Sequence, residues 1–259
     1  MRLSVGAASS VGQVRQINED AYLVQADQGL FVVCDGMGGA AAGEVASGLA
    51  VETIKAHTSD ADITAGNDRY QPRTAGLGKA VLAANRAILD RAMQDPSHAG
   101  MGTTVVGIWV ADGLASIAHV GDSRAYISHQ TGFELLTRDH SLVESQVQAG
   151  LIDREQSLQS AHQNVLLRAL GREPDVEVEL NETPIAAGDQ MLLCTDGLTR
   201  MVSDDKLAEA LDRFRGDPQG ACDHLIEAAN ANGGPDNITV IVIEFPGSRL
   251  TNLLNRLKA

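Results

Sequence analysis

The stretch "LFVVCDGMGG", residues 30–39, decides the fold. Five apolar, β-prone positions run into Asp35, and the chain then turns on glycine, so the run reads as a buried strand that ends on a carboxylate. A second stretch, "MLLCTDGLT" at 191–199, repeats the design around Asp196. Two such strand ends leave charge in a low-dielectric setting unless something compensates it.

Working outward, "AYLVQA" (21–26) lies across "DQG" from the first stretch and predicts a hairpin. Val45, Ala46, Leu49, Ala50 and Ile54 then follow helical spacing, and Leu77, Val81, Ala84, Ile88 and Ala92 do so again, with a loop expected at 59–74. From 102 to 129, "TTVVGIWV", "LASIAHV" and "RAYISH" are joined by short turns and predict a three-strand antiparallel meander. Residues 139–170 are helix-like and irregular. Strands return around "DVEVEL" and "QMLLCT", helices are expected at about 204–214 and 218–231, and "ITVIVIEF" closes as a strand near the first one.

This layout disfavours a doubly wound parallel sheet, which needs a helix between most strands. It predicts an α+β domain: a central antiparallel β-sandwich flanked by α-helices on both faces. The tail "SRLTNLLNRLKA" predicts a short helix with Leu250, Leu253, Leu254 and Leu257 on one face.

A formal net charge of -14 over 259 residues argues against binding to nucleic acid or to an anionic membrane. Cys34, Cys194 and Cys222 fit neither a disulfide framework nor a zinc site, which points to a reducing compartment. With no long apolar run, the expectation is a soluble, cytoplasmic monomer.

The acidic residues form a set. Glu19 and Asp20 in "NEDAY", Asp35 in "CDGMGG", Asp196 in "CTDGLT" and Asp236 in "GGPDNITV" all sit at strand ends or tight turns, with Asp122 in "HVGDSR" similar. Any one Asp-Gly is more readily a turn than a ligand. As a set of hard oxygen donors they suit Mg²⁺ or Mn²⁺. If Glu19, Asp35, Asp196 and Asp236 converge, their charge of about -4 is balanced by two divalent cations. With Arg15 nearby in "VRQINED", such a centre could accept a phosphate dianion.

In order, "RQINEDAY", "VVCDGMGG" with "GEVAS", "GTTVVG", "HVGDSRAY", "LTRDHSLV", "NVLLRALG", "LLCTDGLT" and "GGPDNITVIVI" closely resemble the metal-dependent type 2C, or PPM, protein serine/threonine phosphatases, above all the compact bacterial members. The resemblance runs from about residue 3 to 245. It implies a catalytic domain over 1–246 with a flap at about 141–170, and leaves 247–259 as a tail. It implies that Asp35 bridges two metal ions, that Glu19 and the Gly36 carbonyl serve one, and that Asp196 and Asp236 complete the other. Asp20 would join the ligand shell through water, Asp122 would hold a third, weaker metal, Arg15 would grip the substrate phosphate, and Asn237 would orient metal-bound water. A water shared by cations roughly 3.5 to 4 Å apart would then attack phosphorus directly.

One position departs from the pattern: a histidine usually follows "DGMGG", and here Ala40 stands in its place. General acid catalysis is typically worth about 10²- to 10⁴-fold, so leaving-group protonation needs another source or is slower. His119, His140 and His162 are the candidate replacements. The leading expectation is an enzyme acting on phosphoserine and phosphothreonine proteins, opposing a Ser/Thr kinase. The alternatives are a metal-dependent phosphodiesterase, which lacks a basic track, and a catalytically weakened phosphoprotein-binding relative.

Overall fold

The computed structural model describes residues 3–39, 42–58, 69–129, 131–158 and 160–246. The loop expected at 59–74 lies largely outside them, as do Ala40 and the tail 247–259.

Two antiparallel sheets stack face to face. The first has the order β1 (Ser4–Ser10), β11 (Ile238–Glu244), β10 (Gln190–Cys194), β7 (Arg124–His129), β8 (Gly132–Leu135). The second runs β2 (Asp20–Gln25), β3 (Leu30–Met37), β5 (Val105–Ala111), β6 (Leu114–Val120), β9 (Glu179–Pro184), and the short β4 (Gly102–Thr103) pairs with the end of β3. Helices α1 (Ala42–Ala56) and α2 (Pro72–Gln94) cover the second sheet, while α6 (Asp204–Arg213) and α7 (Pro218–Ala231) cover the first. The resulting α-β-β-α stack is the expected architecture.

The opening stretch shows why. Along β3, Leu30, Val32 and Cys34 pack against α1 and α2, while Phe31 and Val33 face the other sheet beside Ile127, Met191 and Ile241. Both faces are buried, so the alternation of side chains leaves no place for a polar residue before the strand end. β10 and β11 repeat this, with Met191, Leu193, Ile241 and Ile243 between the sheets and Leu192, Val240 and Val242 beneath α6 and α7.

The meander expected over 102–129 is corrected. β5 and β6 do form a hairpin, but β7 leaves it and pairs with β10, so "GDS" at 121–123 is a crossover from one sheet to the other. Gly121 makes it possible: its φ is 109°, and a Cβ there would lie 2.6 Å from Thr104 Cγ2. Two smaller corrections concern boundaries: α2 begins at Pro72, inside the expected loop, and β9 is Glu179–Pro184, later than "DVEVEL" suggested. The predicted closure of the fold holds, since β1 pairs with β11 along its whole length. No helix among the described residues is long and apolar enough to cross a membrane.

Candidate metal centre

The acidic strand ends meet at one edge of the sandwich. In the second sheet, Asp20 begins β2 directly opposite Asp35 near the end of β3, with Glu19 just before it. In the first, Asp196 follows β10 and Asp236 precedes β11, adjacent strands whose ends are tied by Thr195 and Thr239. The two sheets are then joined through Asp20. Its Oδ2 accepts from the hydroxyls of Thr195 at 2.9 Å and Thr239 at 2.7 Å. Asp35 and Asp196, which end strands of different sheets, are close enough for each to perturb the other's ionisation.

Backbone contacts fix the rest. The Glu19 carbonyl accepts from Gly36 N at 3.1 Å and from the buried Ser47 hydroxyl at 2.6 Å. Thr103 Oγ1 donates to the Asp35 carbonyl, Asp35 N donates to Thr104 Oγ1, and Thr104 Oγ1 is 2.6 Å from Ser123 Oγ beside Asp122. Gly43, on the first turn of α1, sits so close to Glu19 and Gly36 that a Cβ would overlap both. Asn237 is buried: its Oδ1 accepts from Glu19 N at 2.8 Å, and its Nδ2 donates to the carbonyls of Val11 and Ile17. Arg15, on the loop thus secured, is half exposed and pairs with Asp236 at 2.9 Å.

The electrostatics are those of buried, mutually repelling carboxylates. Burial first, then the charges of Asp20, Asp196, Asp122 and Asp236, raise the Asp35 pKa well above the ordinary carboxylate range. Burial lifts Asp20 to about 7 against the opposing hydroxyl bonds of Thr239 and Thr195. Burial, then Asp196 and Asp139, lifts Asp122 to about 8. Among the described residues, Asp20 Oδ1 and Asp196 Oδ1 are buried with no hydrogen-bond partner. A crowded set of oxygen donors with orphaned buried oxygens fits hard divalent cations.

A pH effect follows for the metal-free protein. The folded-state pKa values of Asp20 and Asp122 lie above their unfolded values near 4, so the folded state holds protons that the unfolded chain has released. Their contribution is complete below about pH 4 and is lost as pH rises through about 7 to 8. Thermal melts in chelator should therefore give a higher Tm at pH 6 than at pH 8.5. A Tm that rises over that interval would mean the carboxylates are not crowded.

The histidines are occupied elsewhere. His119 and His140 are buried and stacked, with centroids 4.5 Å apart. His140 Nδ1 accepts from Gly121 N, and its Nε2 faces Glu179 at 3.3 Å. Burial holds both imidazoles neutral near pH 7, lowering His119 and bringing His140 to about 4 with His119 adding to the shift. Ring nitrogens of these two residues and a Glu179 oxygen lie within 4.8 Å of one another. His119 Nε2 is 2.7 Å from the Arg138 carbonyl and His140 Nδ1 is engaged by Gly121 N, so this cluster braces the crossover beside Asp122. His162 is exposed on the 160–170 segment. Cys34 and Cys194 are fully buried, and burial raises both thiols, which leaves them inert.

Sequence reading had singled out the carboxylates but not the groups that hold them. Thr195, Thr239, Ser47, Gly43 and Arg200 were missed. The two threonines were detectable as hydroxyls set at the ends of otherwise apolar strands.

A sandwich that gathers carboxylates from both sheets at one edge, with an arginine at the rim, defines the class of metal-dependent phosphatases. The sequence bears this out: residues 9–222 match the family Protein phosphatase 2C, and the chain belongs to that family. It is 39% identical to the serine/threonine phosphatase stp of Listeria monocytogenes, over 90% of this chain and 92% of that protein. The crystal structure of the Mycobacterium tuberculosis serine/threonine phosphatase PstP/Ppp superimposes with a TM-score of 0.85 at 38% identity, covering 95% of this chain and 99% of that one. The catalytic domain of PstP in complex with two manganese ions gives a TM-score of 0.82 at 37% identity, over the same shares. The chain is a protein serine/threonine phosphatase that depends on divalent metal.

Proposed function

We propose that the cluster holds two divalent cations, Mn²⁺ or Mg²⁺, and hydrolyses phosphoserine and phosphothreonine in proteins, reversing a Ser/Thr kinase inside the cell. The observation that carries this reading is the pair of orphaned buried oxygens, Asp20 Oδ1 and Asp196 Oδ1, within carboxylates drawn from both sheets. Asp35 would bridge the cations, Glu19 and the Gly36 carbonyl would serve one, and Asp196 and Asp236 the other. When bound, the cations supply Lewis acidity and activate water for direct attack on phosphorus.

The remaining roles belong to this chain's own side chains. Arg15 meets the substrate phosphate: half exposed and held at the rim by Asp236, its guanidinium is charged at every working pH and offers paired donors to phosphate oxygens. Asp20 would join the ligand shell through water, anchored by two hydroxyls through one oxygen and open through the other. The expected role of Asn237 changes. Both of its amide protons are committed to backbone carbonyls, so it pins the loop bearing Arg15 and Glu19 rather than steering water. Residues 1–246 act as one catalytic domain, as a monomer, with 141–170 as the flap over substrate.

The test is hydrolysis of a phosphothreonine peptide and of an aryl phosphate, with Mn²⁺ and with chelator, for the native protein and Ala40→His. Metal-dependent release from the peptide by the native protein is expected. Turnover of the aryl phosphate alone, with peptide activity rescued by Ala40→His, would indicate a missing proton donor. Failure with both substrates while Mn²⁺ still binds would refute catalysis.

A further inference from the structure

The third-cation role that family resemblance gives to Asp122 conflicts with one side chain. Arg200 caps the short helix α5 (Asp196–Thr199), one turn beyond Asp196. Its Nη2 is ion-paired with Asp196 Oδ2 and lies 3.8 Å from Asp122 Oδ2. One guanidinium thus bridges Asp122 and Asp196, at the position the resemblance gives to a third ion.

The oxygens divide accordingly. Asp196 gives Oδ2 to Arg200 and keeps Oδ1 without a partner, so one oxygen is neutralised by the protein and the other is left for a cation. Asp122 is buried, and of its acidic neighbours Asp139 is already paired with Arg124 at 2.7 Å. Asp35, which also interacts with Asp122, is committed in the two-cation reading to that pair of ions.

We infer that Arg200 is a built-in replacement for the third metal ion: its guanidinium bridges Asp122 and Asp196 and limits the centre to two cations. This rests on the two-cation reading above. The fixed charge supplies without loss what a weakly held ion would supply only at high metal concentration, so occupancy of this position does not vary with free Mn²⁺.

The test is the number of Mn²⁺ ions bound by the full chain, measured by equilibrium dialysis with metal analysis and by calorimetry, independently of turnover. The native protein should saturate with about two ions as free Mn²⁺ is raised to the millimolar range, following the occupancy of the paired site. Arg200→Met, which keeps the apolar stem, should take up an additional weak ion, and Arg200→Met combined with Asp122→Asn should lose it again. Arg200→Lys keeps the charge and should remain at the native number. A native protein that binds a third ion, removed by Asp122→Asn, overturns the inference, as does Arg200→Met staying at the native number. Should Arg200→Met not fold, the native and Arg200→Lys stoichiometries still decide. Uptake of no Mn²⁺ by the native protein would overturn the two-cation reading and this inference with it.

Discussion

Asp35→Asn should sharply reduce metal-dependent turnover and at the same time make the metal-free protein more stable. Asp35 is crowded by Asp20, Asp196, Asp122 and Asp236, and burial adds to the cost of its charge. Replacing the carboxylate with an isosteric amide removes one repelling charge and keeps the strand end, whose backbone is held by Thr103 and Thr104. In chelator near pH 8 the variant should therefore melt about 2 to 4 °C above the native protein, the shift that about 1 kcal/mol gives in a domain of this size. In Mn²⁺ the order should reverse, because the native protein gains binding energy that the variant cannot. Activity should fall by on the order of 10³-fold, the upper range for losing one stabiliser of transition-state charge. A variant less stable than the native protein in chelator would show that the Asp35 carboxylate supports the apo fold.

Gly43→Ala should cost both fold stability and metal affinity, although Gly43 carries no chemistry. A Cβ on Gly43 would lie 2.8 Å from the Gly36 carbonyl carbon and 2.9 Å from Glu19 Cδ. Glu19 can swing away, which would withdraw a proposed ligand, but the Gly36 backbone cannot move without displacing the end of β3. Overpacking of this kind costs about 1 to 3 kcal/mol. Mn²⁺ affinity should fall about 10- to 100-fold, as when the support of a metal ligand is lost. Gly48→Ala is the control, on the same helix with nothing within 4 Å of its Cβ. It should be neutral or stabilising by up to about 1 kcal/mol, the helix propensity difference. Equal losses in both variants would mean that α1 is merely sensitive to substitution. Calorimetric Mn²⁺ titration with thermal melts separates the two outcomes.

The layers were legible because burial on both faces writes itself into composition. Leu30–Cys34 and Met191–Cys194 have no polar position, and only a strand between a helix layer and a second sheet tolerates that. What local pattern could not show was partnership. "RAYISH" has the same apolar alternation whether it continues a meander or crosses to the other sheet, and its choice of β10 depends on residues 70 positions away, as in the Arg124 and Cys194 pair. The site followed the same division. The carboxylates stood out because charge at a strand end needs a reason, whereas Gly43 and Arg200 look ordinary until the fold sets them against Glu19 and Asp196. The buried histidines are poor replacements for the one the family pattern has at Ala40, since burial holds His119 and His140 neutral.

The pairing of β1 with β11 also sets a schedule. Asp236 and Asn237 immediately precede β11, and Asn237 reaches back across 218 residues to fix Glu19. β11 itself lies inside its sheet, between β1 and β10. A growing chain on the ribosome thus carries Glu19, Asp35, Asp122 and Asp196 long before it can arrange them. Until β11 has emerged and inserted, Thr239 cannot hold Asp20, Arg15 has no Asp236 to rest against, and the first sheet lacks an inner strand. Products truncated before β11 should therefore be inactive, because the site's contacts across the two sheets close only with that strand.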